Sequence, residues 1–149
     1  MIFFLLISLS ATSQTKRVLY LDQYVILAPS LYQHIKDNVI EKLTDKDVCS
    51  ITGCEPKKGT LGTFVCISAI EQGEYTNYEM IPRGYLLISD HMFLVYNPQH
   101  IPGLFNVGVP TIKYEQDKSK VLPQFDGGKE WWFFYADNNY YLIDERLYW

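Results

Sequence analysis

The clearest hydrophobic pattern in the chain lies in residues 31–43, where apolar side chains recur at the three- and four-residue spacing of a helix. Ser30 precedes the segment as a candidate N-cap, and Gln33 follows it at capping-box spacing. The polar residues of the segment fall on the opposite side. The pattern predicts one amphipathic helix whose apolar side packs onto a sheet. That side consists of Leu31, Tyr32, Ile35, Val39, Ile40 and Leu43.

Much of the remaining chain is rich in the β-branched and aromatic residues that strands favour. Strands are predicted in residues 16–28 and 63–70, together with an edge strand in 104–114 that Pro110 interrupts. Hairpins are predicted in 84–96, turning at Asp90-His91, and in 130–146, turning at residues 137–139. Residues 45–62 are interpreted as turn and loop. One helix among runs of strands predicts an α+β fold with a mainly antiparallel sheet of roughly five to seven strands.

Residues 1–13 have the pattern of a secretory signal peptide. An apolar run from Ile2 to Ile7 is followed by small residues, and it is far shorter than the ~20 residues that a membrane-spanning helix needs. Ala11 and Ser13 form a small-x-small cleavage site, so we expect cleavage after Ser13. The segment lacks a Lys or Arg before the apolar run, and a buried strand or an uncleaved anchor are the alternatives. Residues 14–149 are then expected to form a single secreted or periplasmic domain without a membrane anchor.

Composition narrows the classes of partner. The net charge is −4 and charged residues make up 20% of the chain, with no basic stripe, so no nucleic-acid partner is expected. The chain contains 12 Tyr, 8 Phe and 3 Trp. Phe and Tyr fill cores, but Tyr in this quantity also suits binding surfaces, because its rigid ring offers area and a hydroxyl group at low entropic cost.

The three cysteines do not form an even framework. Cys49 and Cys54 enclose a short segment that contains Gly53, and an oxidising compartment favours a disulfide between them. Cys66 lies in an apolar run and is interpreted as a small buried side chain, although it could instead pair with Cys49 or Cys54. The spacing lacks the second cysteine pair typical of zinc sites. Neither a metal nor another cofactor is expected.

The second hairpin contains five consecutive aromatic residues, 131–135. Side chains of a strand alternate between its two faces, so both faces of this strand are apolar. One face can pack against the helix, and the other is either covered by loops or exposed as a binding surface. An exposed Trp or Tyr beside carboxylates and amides would also suit a sugar ring. The candidate binding residues are Trp131, Trp132, Tyr135, Asn138 and Tyr140.

Catalytic motifs are not found in the sequence: it contains no G-x-S-x-G, no H-E-x-x-H and no papain-like cysteine context. His34 is expected to be solvated on the polar side of the helix. The favoured interpretation is a small exported binding protein without enzymatic activity, with a protein partner preferred over a glycan. One alternative is a small exported hydrolase that uses Asp90, His91 or His100 with a carboxylate. Another is a structural subunit of an envelope assembly that pairs through the aromatic hairpin.

Overall fold

The computed structural model describes residues 16–59, 62–71, 81–108, 110–117 and 128–147. The predicted signal peptide and its cleavage site lie outside these residues. Within the described ranges, no helix is long and apolar enough to cross a membrane.

One α-helix and ten strands occur in the described residues, which confirms the α+β class and the mainly antiparallel pairing. The number of strands exceeds the five to seven that the sequence pattern predicts, because short strands and a segment interpreted as loop also pair. The elements are β1 (Lys16–Leu21), β2 (Val25–Ile26), α1 (Pro29–Asn38), a 3₁₀ helix (Ile40–Lys42), β3 (Asp47–Gly53), β4 (Thr63–Glu71), β5 (Gly84–Ile88), β6 (His91–Tyr96), a second 3₁₀ helix (Pro98–His100), β7 (Phe105–Asn106), β8 (Ile112–Asp117), β9 (Gly128–Ala136) and β10 (Asn139–Leu147).

A six-stranded sheet in the order β10-β9-β4-β3-β6-β5 forms the centre of the molecule. Its neighbouring strands are antiparallel except for β3 and β6, which run parallel. Strand β3 occupies the segment interpreted as turn and loop. The strands β1 and β8 form a separate antiparallel ribbon, and β2 pairs with β7 over two residues.

Helix α1 begins two residues earlier and ends five residues earlier than its apolar pattern predicts. Its N-cap is Ala28, and Pro29 occupies the first turn, where its missing N–H is not needed. Ser30 is therefore inside the helix, and its hydroxyl accepts a hydrogen bond from the Tyr140 N–H at 3.3 Å. The helix ends at Asn38, and a 3₁₀ helix follows it. Leu31 and Ile35 of the predicted apolar side are completely buried and pack against the sheet, whereas Tyr32 of that side is exposed.

The six-stranded sheet is covered on its two faces in different ways. On one face, α1 and the chain around it bury a large core that includes Ile51, Ile67 and Phe133. On the other face, the β1–β8 ribbon packs over β5 and β6, where Tyr85 and Leu94 belong to a second, smaller core. The ribbon covers the β5–β6 end of that face, and the described residues do not cover its β4-β9-β10 end.

Both hairpins of the sheet turn through two residues in the left-handed region. Ser89 and Asp90 have φ angles of 48° and 68°, and Asp137 and Asn138 have φ angles of 52° and 63°. Such turns match the right-handed twist of the strands that they join, and Asn and Asp tolerate the conformation. Strands β6 and β9 point in the same direction as β3, and one turn precedes β6 while the other follows β9. The two turns therefore lie at opposite ends of the sheet.

All three cysteines are free thiols. Cys49 lies inside β3 and Cys54 directly follows its end, so extended chain separates them. At about 3.3 Å per residue the Cα atoms are roughly 16 Å apart, whereas a disulfide requires roughly 4.4–6.8 Å. The predicted Cys49–Cys54 bridge is not formed in this fold, because closing it would break β3.

Candidate functional site

Strand β9 presents two chemically similar faces to different surroundings. Trp131 and Phe133 point into the core beneath α1 and are completely buried. Trp132 and Phe134 alternate with them, point to the opposite side of the sheet and are half-buried. One face of β9 therefore lies in the core, and the opposite face of the same strand is partly exposed.

Register brings further apolar side chains beside Trp132 and Phe134. Phe134 lies opposite Phe64 on β4 and opposite Tyr141 on β10. The rings of Phe64 and Phe134 are 5.2 Å apart at a tilt of 46°, a spacing that favours edge-to-face contact. Phe64, Tyr141 and Ile143 are exposed by 37%, 47% and 52%. We call this surface the aromatic face, and it consists of Phe64, Trp132, Phe134, Tyr141 and Ile143.

A β-bulge shapes one edge of the aromatic face. The pairing of β10 with β9 shifts between Leu142 and Asp144, so that Ile143 is an extra residue on β10. A bulge redirects side chains and interrupts pairing at a sheet edge. Here it adds a half-exposed isoleucine beside the aromatic rings of β9 and β10.

Polar groups border the aromatic face and are bonded to one another. The Trp132 indole Nε1–H donates to Glu130 Oε2 at 3.2 Å, and the Arg146 Nε–H donates to Asp144 Oδ2 at 2.7 Å. The two carboxylates nearest the aromatic rings therefore already have hydrogen-bond donors. The hydrogen bond to Glu130 orients the indole ring of Trp132. The apolar side chains of the aromatic face remain accessible.

The thiols next to the aromatic face are kept in their neutral form. Cys66 lies opposite Trp132 on β4, and burial, followed by the charge of Glu130, raises the pKa of its thiol from 9.0 to about 12. Burial also raises the pKa of Cys54. A thiol with a raised pKa is a poor nucleophile at neutral pH. These cysteines therefore contribute small, weakly polar surface rather than chemistry.

The five candidate binding residues do not form one site. Trp131 and Tyr140 are buried in the core, and the Tyr140 hydroxyl donates to the Pro102 carbonyl at 2.6 Å. Tyr135 is half-buried against Tyr140, with their rings 4.8 Å apart, and Asn138 is exposed in the β9–β10 turn. Trp132 alone among the five belongs to the aromatic face.

Sequence reasoning missed Phe64, Tyr141 and Ile143. A signal for Phe64 is present in the alternation of residues 63–70, which places Phe64 and Cys66 on one side and Val65 and Ile67 on the other. That alternation could not show which side the helix covers.

A separate cleft of about 490 Å³ opens at the end of the sheet where β3 and β6 begin. We call it the acidic cleft. Its lining includes acidic residues from three separate segments of the chain, together with a histidine and a tyrosine, although the Asp47 carboxylate itself is buried against Lys129. These residues are Asp45, Asp47, Asp90, His91, Tyr114 and Glu115.

The three histidines lie in different places. His34 is not solvated as expected: it is half-buried, and its Nε2 forms a hydrogen bond of 2.9 Å with the Tyr140 carbonyl oxygen. His91 begins β6 in the acidic cleft, whereas His100 lies in the 3₁₀ helix beyond the other end of β6. The length of β6, roughly 16 Å at 3.3 Å per residue, separates His91 from the far end. The two loop histidines therefore do not form an acid–base pair.

The aromatic face is built on β4, β9 and β10, and the acidic cleft is built on β3, β6, β8 and the β5–β6 turn. In the part of the chain that the structure describes, no three His, Cys, Asp or Glu side chains converge as ligands for a metal ion. Comparison of the chain with protein-family models, with curated proteins and with solved structures found no match.

Proposed function

We propose that this chain is a small exported binding protein without enzymatic activity, and that it recognises a protein partner through its aromatic face. The observation that carries the proposal is the exposure of apolar side chains from three adjacent strands at one end of a sheet whose other end packs against the β1–β8 ribbon. Contiguous exposed apolar surface is uncommon on monomeric proteins and marks interaction sites. Export rests on the pattern of residues 1–13.

The composition of the aromatic face favours a protein partner. Trp, Tyr, Phe and Arg are the residues enriched at protein–protein interfaces, and tryptophan, tyrosine and arginine dominate their binding energy. Trp132 and Tyr141 lie on this surface, with Arg146 at its border. The arrangement has the general plan of such an interface, with an apolar centre and a polar rim.

A glycan is disfavoured by the bonding at the border. Sugar recognition needs carboxylates or amides that can accept hydroxyl groups beside an aromatic ring. Glu130 already accepts from Trp132, and Asp144 already accepts from Arg146. Each bond occupies one acceptor position and fixes the orientation of the carboxylate, which restricts how sugar hydroxyl groups could approach, whereas an apolar protein surface needs no such acceptor.

The test compares two tyrosines. Tyr141 lies on the aromatic face, and Tyr20 is a more exposed tyrosine on the β1–β8 ribbon. The full chain, tagged at its C-terminus, is used to capture partners from the exported fraction, and the affinity of each purified partner is then measured. We expect Tyr141→Ala to weaken a specific partner by about thirtyfold, which corresponds to the loss of about 2 kcal/mol at an interface hot spot. Tyr20→Ala should leave the affinity unchanged.

Two results would contradict the proposal. Equal affinities for wild type, Tyr141→Ala and Tyr20→Ala would place binding elsewhere. A specific hit on a glycan array that Tyr141→Ala abolishes would replace the protein partner by a sugar. Export is tested separately by the N-terminal sequence of the chain recovered from the exported fraction, which should begin at Gln14.

A further inference from the structure

Two of the three cysteines point to the same side of the sheet. Cys66 on β4 lies opposite Thr52, and it shares the side of the aromatic face with Phe64. Cys54 directly follows β3, and its N–H donates to the Phe64 carbonyl at 3.0 Å. This hydrogen bond places Cys54 opposite Phe64, so the side chains of Cys54 and Cys66 emerge on one face of neighbouring strands. The third cysteine, Cys49, points into the core beneath α1.

Cys54 and Cys66 are diagonal neighbours across the β3–β4 pair. Such neighbours lie roughly 7–8 Å apart, and their Cβ atoms are somewhat closer. The right-handed twist of a sheet makes the side chains of two adjacent strands lean in opposite directions along the strands. On this face the backbone N–H of Cys54 points toward β4. For that arrangement the lean shortens the Cys54–Cys66 diagonal and lengthens the Thr52–Phe64 diagonal.

The two thiols also interact electrostatically. Burial first, then the charge of Glu130 and then that of Cys54 raise the pKa of the Cys66 thiol. Cys54 and Cys66 are both half-buried, whereas Cys49 is only 2% exposed. A small disulfide reagent in solution therefore reaches the Cys54–Cys66 pair more easily than it reaches Cys49.

The chain at the end of β3 can make the remaining adjustment. A disulfide requires Cα atoms roughly 4.4–6.8 Å apart, so Cys54 and Cys66 must approach by roughly 1–2 Å. Cys54 lies beyond the last residue of β3, and residues 55–59 after it are exposed and outside helices and strands. A shift of this size bends the chain at a strand end, whereas the Cys49–Cys54 pairing would break β3.

We propose that Cys54 and Cys66 form an intramolecular disulfide beside the aromatic face, with a low-molecular-weight disulfide such as glutathione disulfide as the oxidant. The Cys54 thiolate attacks one glutathione sulfur, which forms a mixed disulfide and releases one glutathione. The Cys66 thiolate then attacks the Cys54 sulfur and releases the second glutathione. Two protein thiols become one S–S bond, and the two departing glutathione thiolates take up the two protons. The proposal rests on export only for the presence of the oxidant.

The raised pKa values affect the rate of bridging rather than the stability of the bridge. Burial raises the pKa of Cys54 and of Cys66, so thiolate is scarce and exchange is slow. A catalytic cysteine needs its thiolate at neutral pH, whereas a structural disulfide needs it only while the bond forms. Because ionisation does not stabilise the reduced pair, these thiols lack the feature that makes a disulfide strongly oxidising.

The experiment equilibrates the purified full chain at pH 8 in glutathione buffers of increasing oxidised fraction. Free thiols are counted with a chromogenic reagent, and bridged peptides are identified by mass spectrometry with fragmentation. We expect the chain to lose two of its three free thiols. The Cys54–Cys66 peptide should exceed every other pairing by at least about tenfold, because only this pair is within reach of disulfide geometry. The same reaction in urea should lose this preference, because loop length alone changes pairing by only about a few fold.

Single replacements locate the bridge. Cys49→Ala removes the third thiol and should leave the extent of bridging unchanged. Cys54→Ser and Cys66→Ser should each abolish intramolecular bridging and leave only glutathione adducts. Thermal melting under reducing conditions confirms that each variant is folded. If Cys66→Ser does not fold, Cys54→Ser gives the same readout from the strand end.

Three results would overturn the proposal. The first is a wild-type chain that keeps all its thiols, or carries only glutathione adducts, in the most oxidising buffer. The second is a bridge that contains Cys49 as the main product. The third is a Cys54–Cys66 pairing that is no more selective in the folded chain than in urea. Each of these results leaves the aromatic-face test with Tyr141→Ala standing, because that test measures affinity for a partner.

Discussion

Replacing Lys129 with methionine should be severely destabilising. The ammonium group of Lys129 lies 3.0 Å from Asp47 Oδ2 and donates to the Lys42 carbonyl at 2.8 Å. The side chains of Lys129 and Asp47 are only 8% and 0% exposed. Methionine retains most of the aliphatic length but supplies neither the charge nor a donor. The Asp47 carboxylate would remain buried without its cation.

The magnitude follows from this burial. Removing one partner of a buried ion pair costs about 3–5 kcal/mol, because the remaining charge is neither solvated nor neutralised. A control is offered by Lys42, which forms an ion pair with Glu145. Those side chains are 34% and 28% exposed, so Lys42→Met should cost less than about 1 kcal/mol. The same chemical change should thus give clearly different losses at the two lysines.

Urea unfolding followed by tryptophan fluorescence measures both losses as differences in the free energy of unfolding. The double variant Lys129→Met/Asp47→Leu should recover most of the loss, because replacing both members of a buried pair by apolar residues is often neutral. If Lys129→Met costs no more than Lys42→Met, water reaches the Lys129–Asp47 pair and the reasoning from burial fails.

Three further outcomes are expected. Gly53→Ala should lower the free energy of unfolding by about 2 kcal/mol or more, within the range for overpacking, because a Cβ there would lie 2.6 Å from the Asn97 carbonyl oxygen and 2.7 Å from the His100 carbonyl carbon. Urea unfolding measures this loss. A loss below about 0.5 kcal/mol, the size of an ordinary surface change, would refute the close approach. Burial raises the pKa of Cys49 and of Cys66 from 9.0 to about 12. The unfolded chain therefore loses these thiol protons at a lower pH than the folded chain, and the free energy of unfolding should fall as pH rises from 9 to about 12. A urea midpoint that stays constant over this range would contradict the burial of the thiols. At pH 8, iodoacetamide should label Cys49 and Cys66 at least about tenfold more slowly in the folded chain than in urea. Peptide mapping by mass spectrometry measures the two labelling rates, and equal rates would contradict this prediction.

Local patterns predicted the elements that depend on local sequence. The apolar spacing of Leu31 and Ile35 identified α1, and the content of β-branched and aromatic residues identified β4 and the strands of both hairpins. The start of α1 was misplaced because Ser30 satisfies the capping-box pattern, while Pro29 fits the first helical turn better. With Pro29 in the first turn the N-cap is Ala28, and Ser30 cannot fill that role.

Long-range pairing could not be predicted in the same way. Strand β3 has Ser50 and Thr52 on one side, and these polar residues make its sequence resemble a loop. In the structure Ser50 lies opposite Ser68 on β4, with their hydroxyls 2.6 Å apart. Likewise, β9 is apolar on both faces, so only the position of α1 decides that Trp131 is core and Trp132 is surface. The acidic cleft joins distant segments of the chain, and no spacing within one segment indicates it.

The position of β4 between β3 and β9 has a consequence for how the chain can assemble wrongly. Its first neighbour, β3, lies just before it in the chain, but its second neighbour, β9, follows only after β5 to β8. Until β9 docks, β4 presents a long unpaired edge, and the β9–β10 hairpin presents the complementary one. Two chains that meet at this stage can exchange hairpins. Each would then complete the other's sheet as a domain-swapped dimer, and each aromatic face would contain Phe64 from one chain and Trp132 from the other.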